Sequence, residues 1–434
     1  MTKVGDLRTQ GARVSSSGEA PSAQAPGPQK LHPKLRRLKS TPDSSVRVGG
    51  PKAVSRLEAI AKNNPDADPI AHVKYLSSIE LLGRGSPSAG FDTASAFMVS
   101  LMKKYGMEGP NPGDPSGNPF YQTFDLFSLR RDDDHAHITP RGFGRDLFEG
   151  GFYLDHTIDA EEKDVIKQQC RKHGIGNYDG RVNIAPREEL TPDSLRRNGV
   201  VAQKVQNVMG VMRGTGPQKD EYIVLMAHLD HLGGTPQRWF PGASDNASGS
   251  GTNASLLPML AELQKSGKLN RSVLVIWTAA EEKGLVGANY FIKHPIPGIP
   301  LSAIKGSINN DMIGRFEADR MSVIDTTKGK KTFLTDAFAY AQEQLGERKF
   351  ALVNRDINSF EGRQDNQVFT RAGIITLFNF EGLTRRTGGG GENPDYHKTT
   401  DTFERLMAEN QGEKLLRFRD LNLHMLQYAS NAQL

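Results

Sequence analysis

This 434-residue sequence predicts an α/β fold, a three-layer α/β/α arrangement with a mostly parallel, mixed central sheet. Three observations carry that prediction. From Val201 onward, short apolar runs alternate with longer helical segments. The runs are largely apolar, as strands covered on both faces are. Histidines and carboxylates stand just after the runs, at the strand ends where such sheets bind ligands.

Strands are expected over 206–212, 222–228, 272–279, 306–313, 321–325 and 374–380. Helices are expected over 247–265, 285–293, 335–345 and 402–428. Ahead of this unit, Ile70, Val73, Leu76, Ile79 and Leu82 make a helical stripe over 67–82, stopped at Gly83. A second amphipathic helix covers 93–105, with Phe97, Leu101 and Met102 on one side. A proline- and glycine-rich loop at 110–118 leads to a strand over 120–127. From 130 to 198 the chain reads as irregular except for a helix over 159–173. Order is expected to begin near Asp66. The organisation is therefore a disordered basic tail (1–60), a helical and strand segment packing on the main domain (66–128), an irregular insert (129–200) and the main domain (201–434).

Composition narrows the function classes. No apolar run approaches the roughly 18 residues of a membrane span. The single cysteine, Cys170, excludes a disulfide scaffold and reads as a small packing residue. Residues 1–56 hold 11 Lys and Arg against 3 Asp and Glu, so the net charge of +5 reflects the tail and the remainder is slightly acidic. A basic arm can touch nucleic acid or anionic lipid, but its Ser, Pro, Gly and Ala content favours a solvated leader, and no nucleic-acid partner is expected. The start lacks the apolar core of a secretory signal. Either the protein is not exported by that route or Met1 is not the natural precursor's start.

The run 222–227 ends in His228-Leu229-Asp230-His231, and the run 272–280 ends in Glu281-Glu282. The run 306–310 ends in Asp311. A small-residue turn, Pro241-Gly242-Ala243-Ser244-Asp245-Asn246, enters a helix between the first two, and Tyr396-His397 follows the last strand. Singly, each has an ordinary explanation as packing, helix cap or solvated charge. Together they place carboxylates at neighbouring strand ends, where they would repel one another without a cation. Imidazole and carboxylate without thiolate suit zinc, with cobalt or manganese as substitutes. Their number suits two ions sharing a carboxylate bridge.

The ordered series 227–233, 241–249, Ala280-Glu281-Glu282-Lys283-Gly284, Asn310-Asp311-Met312-Ile313-Gly314 and Tyr396-His397-Lys398-Thr399-Thr400-Asp401-Thr402 resembles the di-zinc aminopeptidases of metallopeptidase family 28. The resemblance covers about 200–434, and more weakly 66–128 through Leu82-Gly83-Arg84-Gly85. It implies that His228 and Asp311 bind one zinc, Glu282 and His397 the other, and that Asp245 bridges both. It further implies Glu281 as general base, Asp230 as the acceptor of the free N–H of His228, Tyr396 as an oxyanion-stabilising phenol, and a cis bond between Asp245 and Asn246. Peptide or protein N-termini would be the substrate, and secreted or periplasmic placement is the family's lean.

Departures remain. The family's Ser-Asp-His appears here as Gln364-Asp365-Asn366, which leaves the role of Asp365 open. His231 is expected to support or pack rather than to bind metal. Phe360, Phe369 and the loop 383–393 are expected to line a pocket for an apolar side chain. Asp132 to His137 has metal-like composition but reads as a solvated loop, and Gly388 to Gly391 is not a phosphate cradle. Same-fold alternatives are a carboxypeptidase, an amide deacylase or a glutaminyl cyclase; a receptor-like domain without metals is a different class.

Overall fold

The protein is described by a computed structural model, which covers residues 46, 51–130, 137–138, 200–325, 330–353, 364–381 and 393–434. The strands are β1 (Tyr121–Arg130), β2 (His137–Ile138), β3 (Val200–Met212), β4 (Tyr222–His228), β5 (Gly234–Thr235), β6 (Arg238–Trp239), β7 (Ser272–Thr278), β8 (Ile304–Asn310), β9 (Arg320–Asp325), β10 (Ala351–Leu352) and β11 (Thr376–Phe380). The helices are α1 (Pro51–Asn63), α2 (Pro69–Leu76), α3 (Ala89–Lys104), α4 (Gly249–Ser255), α5 (Leu257–Lys265), α6 (Val286–Lys293), α7 (Phe333–Gln344), α8 (Asn366–Arg371), α9 (Phe403–Asn410) and α10 (Glu413–Asn431).

Nine strands form one sheet in the order β10-β9-β11-β8-β4-β7-β3-β1-β2. The central four, β11, β8, β4 and β7, are mutually parallel, and β9, β3 and β1 join antiparallel to their inner neighbours. The sheet is thus mixed, and its parallel strands all deliver their carboxyl ends to one rim. Every residue of β4 and β7 is buried. Side-chain alternation sends Ile223, Leu225, Val273 and Trp277 into one core with α2, α3, α5, α7 and α10. Tyr222, Val224, Leu274 and Ile276 enter a second core with α6 and α8. Two buried faces explain why these strands read as unbroken apolar runs.

Helix ends follow local chemistry. Asp68 accepts the Ile70 N–H ahead of α2, whose first residue is Pro69, and Ser88 accepts the Phe91 N–H ahead of α3. The stripe over 67–82 stops as α-helix at Leu76, where Ser77 leaves the helical range and Ser78 is extended; Leu82 and Gly83 then adopt positive φ in the 3-10 segment that follows. The single helix expected over 247–265 is two, α4 and α5, with Pro258 in the first turn of the second. The long terminal helix also breaks, where Gln411 and Gly412 turn left-handed between α9 and α10.

Order starts earlier than expected. α1 begins at Pro51, and its Leu57 is 4% exposed in the first core, so the expected tail 1–60 contains an element that packs. The segment 66–128 does more than pack against the sheet, because β1 is one of its strands. Most of the insert 129–200, including the helix over 159–173 and Cys170, lies outside the described residues. No described helix is long and apolar enough to cross a membrane.

Candidate metal centre

Five chain segments meet at the rim, the ends of β4, β7 and β8 and the turns carrying Asp245 and His397. β4 ends on His228, and the next residue's N–H donates to the carbonyl of Thr278 (2.9 Å), holding the ends of β4 and β7 in register. β7 leads through Ala279 and Ala280 to Glu281 and Glu282, and β8 leads to Asp311. Asp245 sits in a wide turn, Ala243–Ser248, entered through Gly242 at φ +60°. A Cβ at Gly242 would lie 2.2 Å from the carbonyl oxygen of Asp245 and 2.5 Å from the His231 ring, so the turn requires glycine. The peptide bond between Asp245 and Asn246 is cis.

These residues converge. His228 Nε2 lies 3.2 Å from Asp245 Oδ1 and 3.3 Å from Asp311 Oδ1. His397 Nε2 lies 3.2 Å from Asp245 Oδ2 and 3.0 Å from Glu282 Oε2. The two carboxylate oxygens of Asp245 therefore face two different histidines. His231 Nδ1 stands 2.7 Å from Glu282 Oε1 and 3.7 Å from Asp245 Oδ2. Donor atoms of His228, Asp245 and Asp311, and of His231, Asp245 and Glu282, lie within 4.8 Å of one another, as metal ligands do. His231 is fully buried and its Nε2 has no hydrogen-bond partner. A protonated nitrogen there would be a stranded donor, so the proton belongs on Nδ1, which donates to Glu282. That arrangement sets His231 against the Glu282 carboxylate.

Electrostatics reflect the crowding. Burial pulls His397 down, but Glu282 and Asp245 outweigh it and raise it to about 10. Burial likewise lowers His228, and Glu281, Asp311 and Asp245 together hold it well above the imidazole range. Asp245 falls to about 2 although burial and Glu282 oppose this, because His231, His228 and His397 surround it. Glu282 is also held well below the carboxylate range, by His397 and His231 against burial. Burial pushes Glu281 well up, with Glu282, Asp365 and Asp311 adding to it and His228 opposing. The low pair is the one held between two imidazoles; Glu281 is left as a proton acceptor of raised affinity.

Two expectations need correction. Asp230 does not take the His228 N–H on its carboxylate: Nδ1 lies 3.1 Å from the Asp230 main-chain oxygen and 3.9 Å from Oδ1. The carboxylate instead accepts the Glu281 N–H at 3.1 Å, tying the β4 end to the Glu281 turn. Phe369 does not line the cleft; it is buried in the second core, stacked on Phe291 at 5.6 Å. The cleft is lined by Glu281, Met312, Gln364, Phe378, Phe380, Asn393 and Tyr396 beside the candidate ligand groups. Tyr396 stacks on the His397 ring at 3.7 Å and packs against the cluster of Met312, Phe378 and Phe380. Asp365, pushed up to about 7 by burial, accepts the Thr278 hydroxyl behind the rim. Phe360, Asp132 and the loop 382–392 lie outside the described residues.

Sequence reading missed a supporting layer. The Arg84 guanidinium, fully buried, donates to the carbonyls of Leu76, Leu229 (2.9 Å), Pro241 (3.0 Å) and Gly242 (3.1 Å). Asn310, just before Asp311, donates to Asn253 (2.7 Å) and accepts from Asn379 (2.9 Å) and Asn422 (3.2 Å). Asn246 Nδ2 donates to the Asn310 carbonyl (3.0 Å), so the residues adjoining Asp245 and Asp311 are bonded to each other. The available signal was the presence of unbroken polar residues where an apolar strand should continue.

A mixed α/β sheet with histidines and carboxylates gathered at the rim of its parallel strands defines an α/β protein with a candidate metal site. Residues 207–418, just under half of the chain, match the model of peptidase family M28. The chain is 25% identical over 237 residues to aminopeptidase YwaD of Bacillus subtilis, covering 54% of this chain and 47% of that protein. It is 32% identical over 213 residues to a probable leucine aminopeptidase of Arthroderma benhamiae, covering 46% and 54%. The chain thus spans about half the length of these curated relatives. The fold is shared with BSAP, a zinc aminopeptidase from Bacillus subtilis, at 17% identity and a TM-score of 0.54, covering 83% of this chain and 93% of that one.

Proposed function

We propose that this protein is a zinc-dependent aminopeptidase that removes N-terminal residues from peptides. One observation carries the reading: both oxygens of Asp245 are engaged, one toward His228 and Asp311, the other toward His397 and Glu282. That donor set fits two ions, with His228 and Asp311 on one, Glu282 and His397 on the other, and Asp245 between them. Cobalt or manganese would fit the same donors. When bound, such ions supply Lewis acidity to a peptide carbonyl and acidify water at the site.

The chain's own groups supply the rest. Glu281 opens onto the cleft and holds a proton at its carboxylate more readily than an ordinary glutamate. It suits a general base that takes a proton and returns it to the leaving amine. Asp230 fixes the Glu281 main chain, and His231 orients Glu282. Tyr396, at the cleft wall, would stabilise a developing oxyanion in this reading. Glu281 and Asp311 give a cationic α-amine an acidic seat, which an acylated terminus would lose.

Comparing amino-acid p-nitroanilides with their N-acetyl forms, with and without a chelator, tests this. Free-amine substrates should turn over and be silenced by metal removal. Equal cleavage of blocked substrates would discard the aminopeptidase reading.

A further inference from the structure

Asp401 precedes a helix, where an aspartate ordinarily caps the N-terminus. It does not do so here: Thr402 is the cap, its hydroxyl accepting the Arg405 N–H at 3.2 Å. The Asp401 carboxylate is fully buried and turned the other way. Oδ1 accepts the Ser244 N–H at 3.0 Å, while Oδ2 accepts Ser244 and Asp245 N–H groups at 3.1 Å each. Its main-chain carbonyl accepts the Ala243 N–H at 3.0 Å. Apart from the His397–Asp245 contact itself, these are the polar bonds described between the turn carrying Asp245 and the turn carrying His397.

The two turns come from distant parts of the chain and neither belongs to a strand. His228 and Asp311 differ, being anchored at the ends of β4 and β8. We propose that Asp401 is a positioning residue that registers Asp245 against His397, and so sets the affinity of the second ion, the one between Asp245, Glu282 and His397. This rests on the two-ion reading above. Both carboxylate oxygens are needed, because an asparagine would aim an NH2 group at a main-chain N–H.

The test is calorimetric titration of metal-stripped full-length protein with Zn2+, alongside Co2+ absorption spectra, for wild type, Asp401→Asn and Asp401→Leu. Wild type should take up two ions. In Asp401→Asn the second step should weaken by about 10–100-fold, as losses of groups that orient metal ligands typically do, with a larger loss in Asp401→Leu. The first step should change far less, and the far-ultraviolet circular dichroism not at all. Unchanged stepwise affinities in Asp401→Asn would overturn the assignment, as would parallel weakening of both steps with loss of fold. A wild-type protein that takes up no second ion would instead overturn the two-ion reading, and this assignment with it.

Discussion

Glu281 and Glu282 are adjacent in sequence and opposite in character. Glu282 lies between two imidazoles and is held ionised, whereas Glu281 is raised by burial. Replacing Glu281 with glutamine should lower kcat by about 10²- to 10⁴-fold while leaving zinc content unchanged, as kinetics and metal analysis on the same preparation would show. The imidazoles have their own pH signature. With a folded value near 10 for His397, its contribution to metal-free stability is complete below about 6.5 and disappears as pH rises through 10. Asp365, raised to about 7, works in the same direction, since the folded state keeps its proton longer than the unfolded chain. Chelator-treated protein should therefore have a lower urea midpoint at pH 10 than at pH 6. Zinc binding at pH 7 should release protons from His228 and His397, seen as a buffer-dependent calorimetric heat. Sequence reading reached the ligand candidates through three strand ends and the ordered motifs that resemble the peptidase family; it could not see which oxygen of Asp230 meets His228, which depends on how two strand ends are bonded.

At the scale of elements, Arg84 connects the end of α2, the residue after β4 and the turn before Asp245. Its burial lowers it to about 10, with Asp245, Asp230 and Asp401 opposing the fall. Arg84→Met would strand four carbonyls and remove a buried cation from an acidic neighbourhood. A loss of about 3–5 kcal/mol is expected, measurable by urea denaturation of the zinc-loaded protein. Arg84→Lys should recover little, because a single ammonium cannot span the same acceptors. The strands β4 and β7 were legible because two-sided burial demands continuous apolar residues. α1 was not, because among its described side chains only Leu57 is fully buried, with Ile60 and Ala61 partly so. The splits at Pro258 and Gly412 were written in the sequence, but helical periodicity continues across them and hides the break.

For the whole molecule, ions that bind only the folded state add stability by mass action, about 4 kcal/mol at a thousandfold excess over Kd. Chelation should lower the melting temperature, added zinc should restore it in a concentration-dependent way, and Asp245→Ala should show neither response. Such a result would separate a metal protein from a receptor-like domain that keeps the sheet alone. Donors that meet in space are spread from His228 to His397 along the chain. A polypeptide ending after α7 would lack His397, so under the proposed two-ion reading the second ion would have its full donor set only once the residues beyond β11 had joined.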